Sequence, residues 1–159
     1  MRFPGFIRAA TAVDLPAIDA LLTQAFGGTA EVALVHALRG AGLMRGEQVI
    51  PLGDDLIGYY ALSAMVAPQG WLCLAPVAIA PDWQRRGHGR RMVAQLVAWA
   101  DRTATTVVVL GPPAFYASAG FSSEAAARLT SPHPLDHTLL AGCGAQAPQV
   151  ALRYPAAFK

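Results

Sequence analysis

The order of elements along this 159-residue chain predicts an α/β or α+β fold built on a mixed sheet. Three observations carry that reading. Apolar residues recur at helical spacing in separate stretches, at Leu15, Ile18, Leu21, Leu22 and Ala25 and again at Met92, Val93, Leu96, Val97, Trp99 and Ala100. Short apolar or β-branched runs, such as Leu74–Ile79 and Thr105–Leu110, lie among them. Hydrophobic residues make up 54% of the chain and charged residues 14%, which supplies one sizeable core and argues against extended disorder. One domain spanning residues 1–159 is the expectation, since no repeat and no low-complexity linker interrupts the chain.

Phe6 to Ala10 reads as a first strand. Thr11 or Asp14 can cap a helix to about Phe26, because a short side-chain oxygen there satisfies free N–H groups, and Gly27-Gly28 stops it. Thr29 can cap a second helix through Val32, Leu34, Val35 and Leu38 to Arg39, ended by Gly40. Gln48–Leu52 and Leu56–Val66 read as a hairpin turned at Gly53-Asp54-Asp55. Trp71 to Ile79 is the next strand. Pro76 lies inside it and has no N–H to give a ladder, which predicts a bulge or one-sided pairing. A helix follows from about Gly87 to Thr103, then the strand Thr105–Leu110. Gly111-Pro112-Pro113 opens a short helical turn, where proline is tolerated. Leu139–Ala141 and Gln149–Arg153 are further strands, with a polar loop at Ser131–His137.

Charge and composition exclude several classes of function. The formal net charge is +2, and four of the 12 basic residues (Arg85, Arg86, Arg90 and Arg91) fall within one short stretch. That local charge suits a small anion rather than nucleic acid, which needs a broader basic face. No run reaches the roughly 18 apolar residues of a membrane span, and the N-terminal stretch lacks the apolar core of a signal peptide. Cys73 and Cys143 fit no zinc spacing; they read as small core residues in a reducing cytoplasm, with no metal site.

The chemistry concentrates at Leu74–Arg91: a strand, a basic glycine loop, then the start of a helix. Gly87 and Gly89 lack Cβ atoms, so a ligand can approach the main chain, and the helix N-terminus offers free N–H groups and a positive dipole end. The four arginines add charge at the same place. This arrangement suits a phosphate or pyrophosphate. It is not a Walker A loop, since the only lysine is Lys159. Nor is it the dinucleotide fingerprint, because Met92 stands where that motif needs a third glycine for close helix–strand packing.

The stretch Val77-Ala78-Ile79-Ala80-Pro81-Asp82-Trp83-Gln84-Arg85-Arg86-Gly87-His88-Gly89-Arg90 resembles the acetyl-CoA motif of the GNAT superfamily of N-acetyltransferases, with Gln84, Gly87 and Gly89 in register. The resemblance implies the GNAT fold: a mostly antiparallel mixed central sheet, flanked by helices, with its fourth and fifth strands splayed. It also implies acetyl-CoA as cosubstrate. Backbone N–H groups of Val77, Ala78 and Ile79 would polarise the thioester carbonyl, and Gln84, Arg85, Arg86, Gly87, His88, Gly89 and Arg90 would hold the pyrophosphate.

A second segment, Tyr116-x-x-x-Gly120-Phe121, is similar to the signature after the fifth strand of that superfamily, whose tyrosine is the general acid toward the CoA sulfur. Tyr116 is the matching residue. A phenol can protonate a leaving thiolate, and a thiol of pKa about 8.5 needs little help to leave. Many members carry asparagine a few residues earlier; here the region is Gly111-Pro112-Pro113. That string, and the terminal Leu152–Phe158, resemble a bacterial branch of small N-acetyltransferases. No general base is named: Trp71–Ile79 holds no acid, and Glu31, His36 and Glu47 are candidates from elsewhere in the chain.

The function implied is acetyl transfer from acetyl-CoA to a primary amine, on a small molecule or peptide, by direct attack. No nucleic-acid or membrane partner is implied, and a homodimer is compatible with the sequence. A non-catalytic acyl-CoA-binding or regulatory domain stays open on the residues alone. An RNA module is disfavoured, because no aromatic interleaves the basic residues after Trp83.

Overall fold

The computed structural model describes residues 3–158. Their strands run in the order β1-β2-β3-β4-β5-β6, which is also their order in the sequence. The residues group into two compact units: the first holds the chain up to Ser63 together with Ala75–Gly89, and the second holds Ala64–Leu74 and the chain from Arg90 onward.

In the first unit, β1 (Arg8–Ala9) pairs antiparallel with Val49 and Gln48. It is shorter than the sequence suggests, and Phe6 is fully exposed rather than laid on a core. The two candidate caps form a capping box around the next turn, although neither side chain bonds the first turn of the helix that follows. The N–H of Thr11 donates to the Asp14 carboxylate at 2.8 Å, and the N–H of Asp14 donates back to the Thr11 carbonyl. A single 3₁₀ turn, Ala12–Asp14, then leads into α1 (Leu15–Phe26), with proline in its first turn. Gly27 ends α1 in the left-handed region at φ 71°, returning its N–H to Thr23. α2 (Ala30–Gly40) follows, and His36 Nε2 meets both Asp19 carboxylate oxygens of α1 at 2.9 and 3.1 Å.

Arg8 grips Asp14 with two hydrogen bonds, at 2.7 and 2.9 Å. Those bonds and the Thr11 N–H hold the Asp14 carboxyl well below its ordinary value of 3.8. A carboxylate whose pKa is depressed by folding stabilises the fold fully above its unfolded pKa, and that contribution fades as pH falls through the folded one. Asp14→Ala should therefore destabilise the protein by about 1 kcal/mol at neutral pH, as a lost cap does. The deficit should shrink steadily below pH 4. Denaturant unfolding of both proteins across that pH range measures it.

β2 (Met44–Leu52) and β3 (Asp55–Ala64) form the hairpin, turned at Gly53 (φ 61°) and Asp54 with Leu52 opposite Asp55. β2 starts four residues before the expected Gln48, because Met44 and Gly46 pair with Ser63 and Leu62 across a register shift. β3 is buried from Leu56 to Ser63. The second half of β4 (Leu72–Ile79) completes this unit, and the Ala80 N–H bonds the Ile57 carbonyl beyond its end.

The second unit contains the first half of β4, where Leu72–Leu74 pair in parallel with Val107–Val109 of β5 (Val107–Leu110). That register ends two residues before Pro76, which has no N–H to donate. β5 pairs antiparallel with all four residues of β6 (Thr138–Ala141). α3 (His88–Thr103) buries Met92, Val93, Leu96, Val97 and Ala100, as its spacing predicts, while Trp99 stays partly exposed. α4 (Pro113–Ser118) is a short helix with proline in its first turn. The expected strand at Gln149–Arg153 is only two isolated bridges. Ala151 pairs with Thr130 and Arg153 with Ala67, so neighbouring residues face different partners and no ladder forms.

Cys73 is buried, but Cys143 is only half-buried, so just one of the two free thiols is a core residue. Among the described residues no helix is long and apolar enough to cross a membrane, and no cluster of His, Cys, Asp and Glu is arranged to hold a metal.

Candidate functional site

The glycine loop starts where β4 ends. Ala78 is buried, while Val77 and Ile79 are half-buried. Pro81–Trp83 make one 3₁₀ turn, and the Gln84 side chain then donates to the Ile79 carbonyl at 2.9 Å. That bond ties the loop back to its own strand. Arg85 takes a left-handed backbone (φ 63°), unusual for a residue with a Cβ, and Gly87 is left-handed at φ 86°. Alternating backbone hands of this kind turn successive N–H groups toward one side. Among the described residues, no protein acceptor takes the backbone N–H of Arg85 or Gly87, while the turn over Gln84-Arg85 closes on Arg86. His88 and Gly89 then open the sixteen-residue α3, whose N-terminus favours an anion. Orphan donors, a helix dipole and exposed arginines fit a phosphate-bearing group.

One residue here was invisible to motif reading. Trp83 lies just before the motif's Gln84, and its ring is the platform under the Arg86 guanidinium, 4.9 Å from the ring centroid, and meets the His88 ring edge-on at 5.7 Å. Arg86 and His88 are thus packed on an indole rather than waving freely. Arg90 is engaged as well, donating to the Ser118 carbonyl at the end of α4 at 3.3 Å.

In the second unit, Tyr116 is 8% exposed on α4. The Phe121 N–H returns to the Tyr116 carbonyl, and Gly120 makes that turn at φ 113°. The Tyr116 ring contacts Phe115 and Phe121 edge-on, at 5.0 and 5.7 Å. Its hydroxyl makes no hydrogen bond among the described residues. Burial, with a smaller contribution from the neighbouring Cys73, pushes its pKa up to about 12. The phenol therefore stays protonated through the neutral range and has a proton to give. Cys73 is likewise pushed up to about 12 by burial, and burial raises Cys143 too. Neither thiol is a ready thiolate nucleophile at neutral pH.

The residues considered as bases from sequence are partnered or peripheral. Glu47, on β2, accepts the Tyr59 hydroxyl at 2.6 Å and a forked pair from Arg39, the closest at 2.7 Å. Tyr59 is fully buried, and burial together with the Glu47 charge raises its pKa well beyond the ordinary phenol value. Burial opposes the Arg39 charge, but the bonds and charge of Glu47 outweigh it and raise its pKa. This is a cross-tie from α2 to the hairpin. Glu47→Ala should strand both partners and destabilise the fold by about 1–3 kcal/mol, measured by denaturant unfolding. His36 is held by Asp19, and Glu31 lies in the first turn of α2.

This geometry belongs to a known class. Residues 46–123, which include the glycine loop and Tyr116, match the family model described as an acetyltransferase (GNAT) domain. The chain is 36% identical over 126 residues to the uncharacterized N-acetyltransferase YhbS of Escherichia coli K12, covering 75% of this chain and 74% of that protein. The chain belongs to the GNAT family of N-acetyltransferases. Its fold is similar to the crystal structure of Escherichia coli YhbS in complex with CoA, with a TM-score of 0.84, 28% identity, and coverage of 96% of this chain and 91% of that one. It is also similar to a GNAT family acetyltransferase from Brucella melitensis in complex with acetyl-CoA, with a TM-score of 0.81 and 24% identity over all of both chains. The helix-flanked mixed sheet, with its parallel β4–β5 pair, is the fold of this family.

Proposed function

We propose that this acetyltransferase, as one domain spanning the chain, moves the acetyl group of acetyl-CoA onto a primary amine by direct attack. The carrying observation is the loop before α3: Arg85 and Gly87 are both left-handed, and their N–H groups have no protein acceptor among the described residues. Such donors at a helix N-terminus suit a pyrophosphate. Gln84, Arg85, Arg86, Gly87, His88, Gly89 and Arg90 hold it, with Trp83 fixing the Arg86 side chain. Acetyl-CoA supplies the activated acyl group.

The acceptor nitrogen attacks the thioester carbonyl, forming a C–N bond as the C–S bond breaks. Backbone N–H groups of Val77–Ile79 polarise the carbonyl oxygen as negative charge gathers there. Tyr116 gives its proton to the departing sulfur, and the proton lost by the amine goes to water. An amine that arrives neutral needs no protein base, consistent with Glu47 being occupied by Arg39 and Tyr59. Direct attack, rather than an acyl-enzyme, is supported by the raised pKa values of both cysteines. The acceptor is a small-molecule or peptide amine, and the two free thiols suit a reducing, cytoplasmic setting.

Two measurements test this reading. Incubation with acetyl-CoA alone, followed by intact-protein mass spectrometry, should show no acetylated enzyme. Initial rates against both substrates should give intersecting reciprocal plots. Parallel plots with a trapped acetyl-enzyme would mean a covalent route instead.

A further inference from the structure

Gly111 joins β5 to α4 and carries no side chain, yet no backbone demand explains it, because its φ lies outside the left-handed region. The explanation lies in space. A Cβ placed on Gly111 would stand 2.6 Å from Cε2 of Tyr116, 3.3 Å from Cδ2 and 3.6 Å from Cζ. Carbon atoms rest about 3.5–4.0 Å apart, so the ring lies directly against the bare backbone of Gly111. Cε2 is bonded to Cζ, the atom that bears the hydroxyl. Whatever fixes that edge of the ring fixes the hydroxyl.

Neither main chain is free to retreat. The Gly111 N–H donates to the His137 carbonyl at 2.9 Å, just before β6, and so anchors the main chain. The Tyr116 N–H donates to the Pro112 carbonyl at 3.3 Å, and its own carbonyl accepts from both Ala119 and Phe121. Phe115 and Phe121 flank the ring. A methyl group at position 111 therefore has to be met by movement of the ring.

We infer that Gly111 is a positioning residue for acetyl transfer: its missing side chain is the seat that sets where the Tyr116 hydroxyl stands. This rests on the reading of Tyr116 as proton donor to sulfur. The alanine methyl displaces the ring by roughly 1 Å, and a misplacement of that size costs on the order of 10²-fold in rate when the group takes part in the reaction.

The test uses the 159-residue chain with acetyl-CoA and the best amine found in an acceptor panel. Gly111→Ala should lower kcat by about 10- to 100-fold, with acetyl-CoA Kd by calorimetry within about twofold of wild type and an unchanged circular dichroism spectrum. A purely structural residue would move the last two. In a Tyr116→Phe background, Gly111→Ala should add little, within about twofold to threefold, because the ring it displaces no longer carries the proton. Without any acceptor, the Tyr116 ring resonances, assigned by their loss in Tyr116→Phe, should shift in Gly111→Ala. The inference is overturned by a wild-type kcat in Gly111→Ala, by fully additive losses in the double variant, by unmoved ring resonances, or by loss of fold or of acetyl-CoA binding. If Tyr116→Phe loses rate and Gly111→Ala does not, the inference about Gly111 fails alone. If Tyr116→Phe itself keeps the wild-type rate, the role assigned to Tyr116 fails first.

Discussion

Tyr116→Phe is expected to slow the chemical step about 10- to 100-fold while leaving acetyl-CoA affinity nearly unchanged. The substitution keeps the ring between Phe115 and Phe121 and removes only the hydroxyl, which has no hydrogen bond among the described residues to lose. General acid catalysis is worth about 10²–10⁴-fold, and a thiolate is a good leaving group, so the low end applies. Single-turnover rates and calorimetric Kd values separate the two effects. A pH profile adds an independent check. Because burial lifts the Tyr116 phenol to about 12, the wild-type rate should not fall through pH 10, where an ordinary phenol loses its proton. A rate limb near 10 that disappears in Tyr116→Phe would show that the phenol titrates normally. Equal single-turnover rates in the two proteins would remove Tyr116 from the reaction.

Gly87→Val is expected to weaken acetyl-CoA binding by at least about 10-fold without unfolding the protein. Gly87 stands at φ 86°, a conformation that a β-branched residue resists. Strain of this kind costs on the order of 1–3 kcal/mol. The loop can relieve it by rotating, which turns its N–H groups away from a common direction. Gly87 is exposed, so the effect falls on the ligand more than on a core. Gly87→Ala should show the same trend, more weakly. Calorimetric titration of acetyl-CoA into each folded variant measures it, and an unchanged Kd for Gly87→Val would detach the loop from the cofactor.

Much of the fold was legible because it follows from period and punctuation. α1 and α3 carry apolar residues at helical spacing, and Gly27 ends α1 where a left-handed residue is needed. The hairpin turn and the Thr138–Ala141 strand follow from short-range pattern as well. What was hidden depends on partners distant in sequence. The start of β2 is polar at Arg45 and Glu47, and only pairing with β3 makes it a strand. Gln149–Arg153 has the composition of a strand, but its backbone bonds go to two different segments. The same division holds at the candidate site. Gln84, Gly87, Gly89 and Tyr116 could be found by spacing. Trp83 under Arg86, Gly111 against Tyr116, and Glu47 between Arg39 and Tyr59 are side-chain contacts that spacing does not encode.

The central claim is acetyl transfer to an amine, and acceptor-dependent turnover tests it most directly. The enzyme is incubated with acetyl-CoA and a panel of peptide N-termini, lysine side chains and small primary amines, with a no-acceptor control. Free CoA and acetylated product are quantified together. At least one amine should raise CoA release above the control and gain an acetyl group in equal amount. Acetyl-CoA binding with no acceptor-dependent turnover across all three amine classes would contradict the account and leave an acyl-CoA-binding domain in its place.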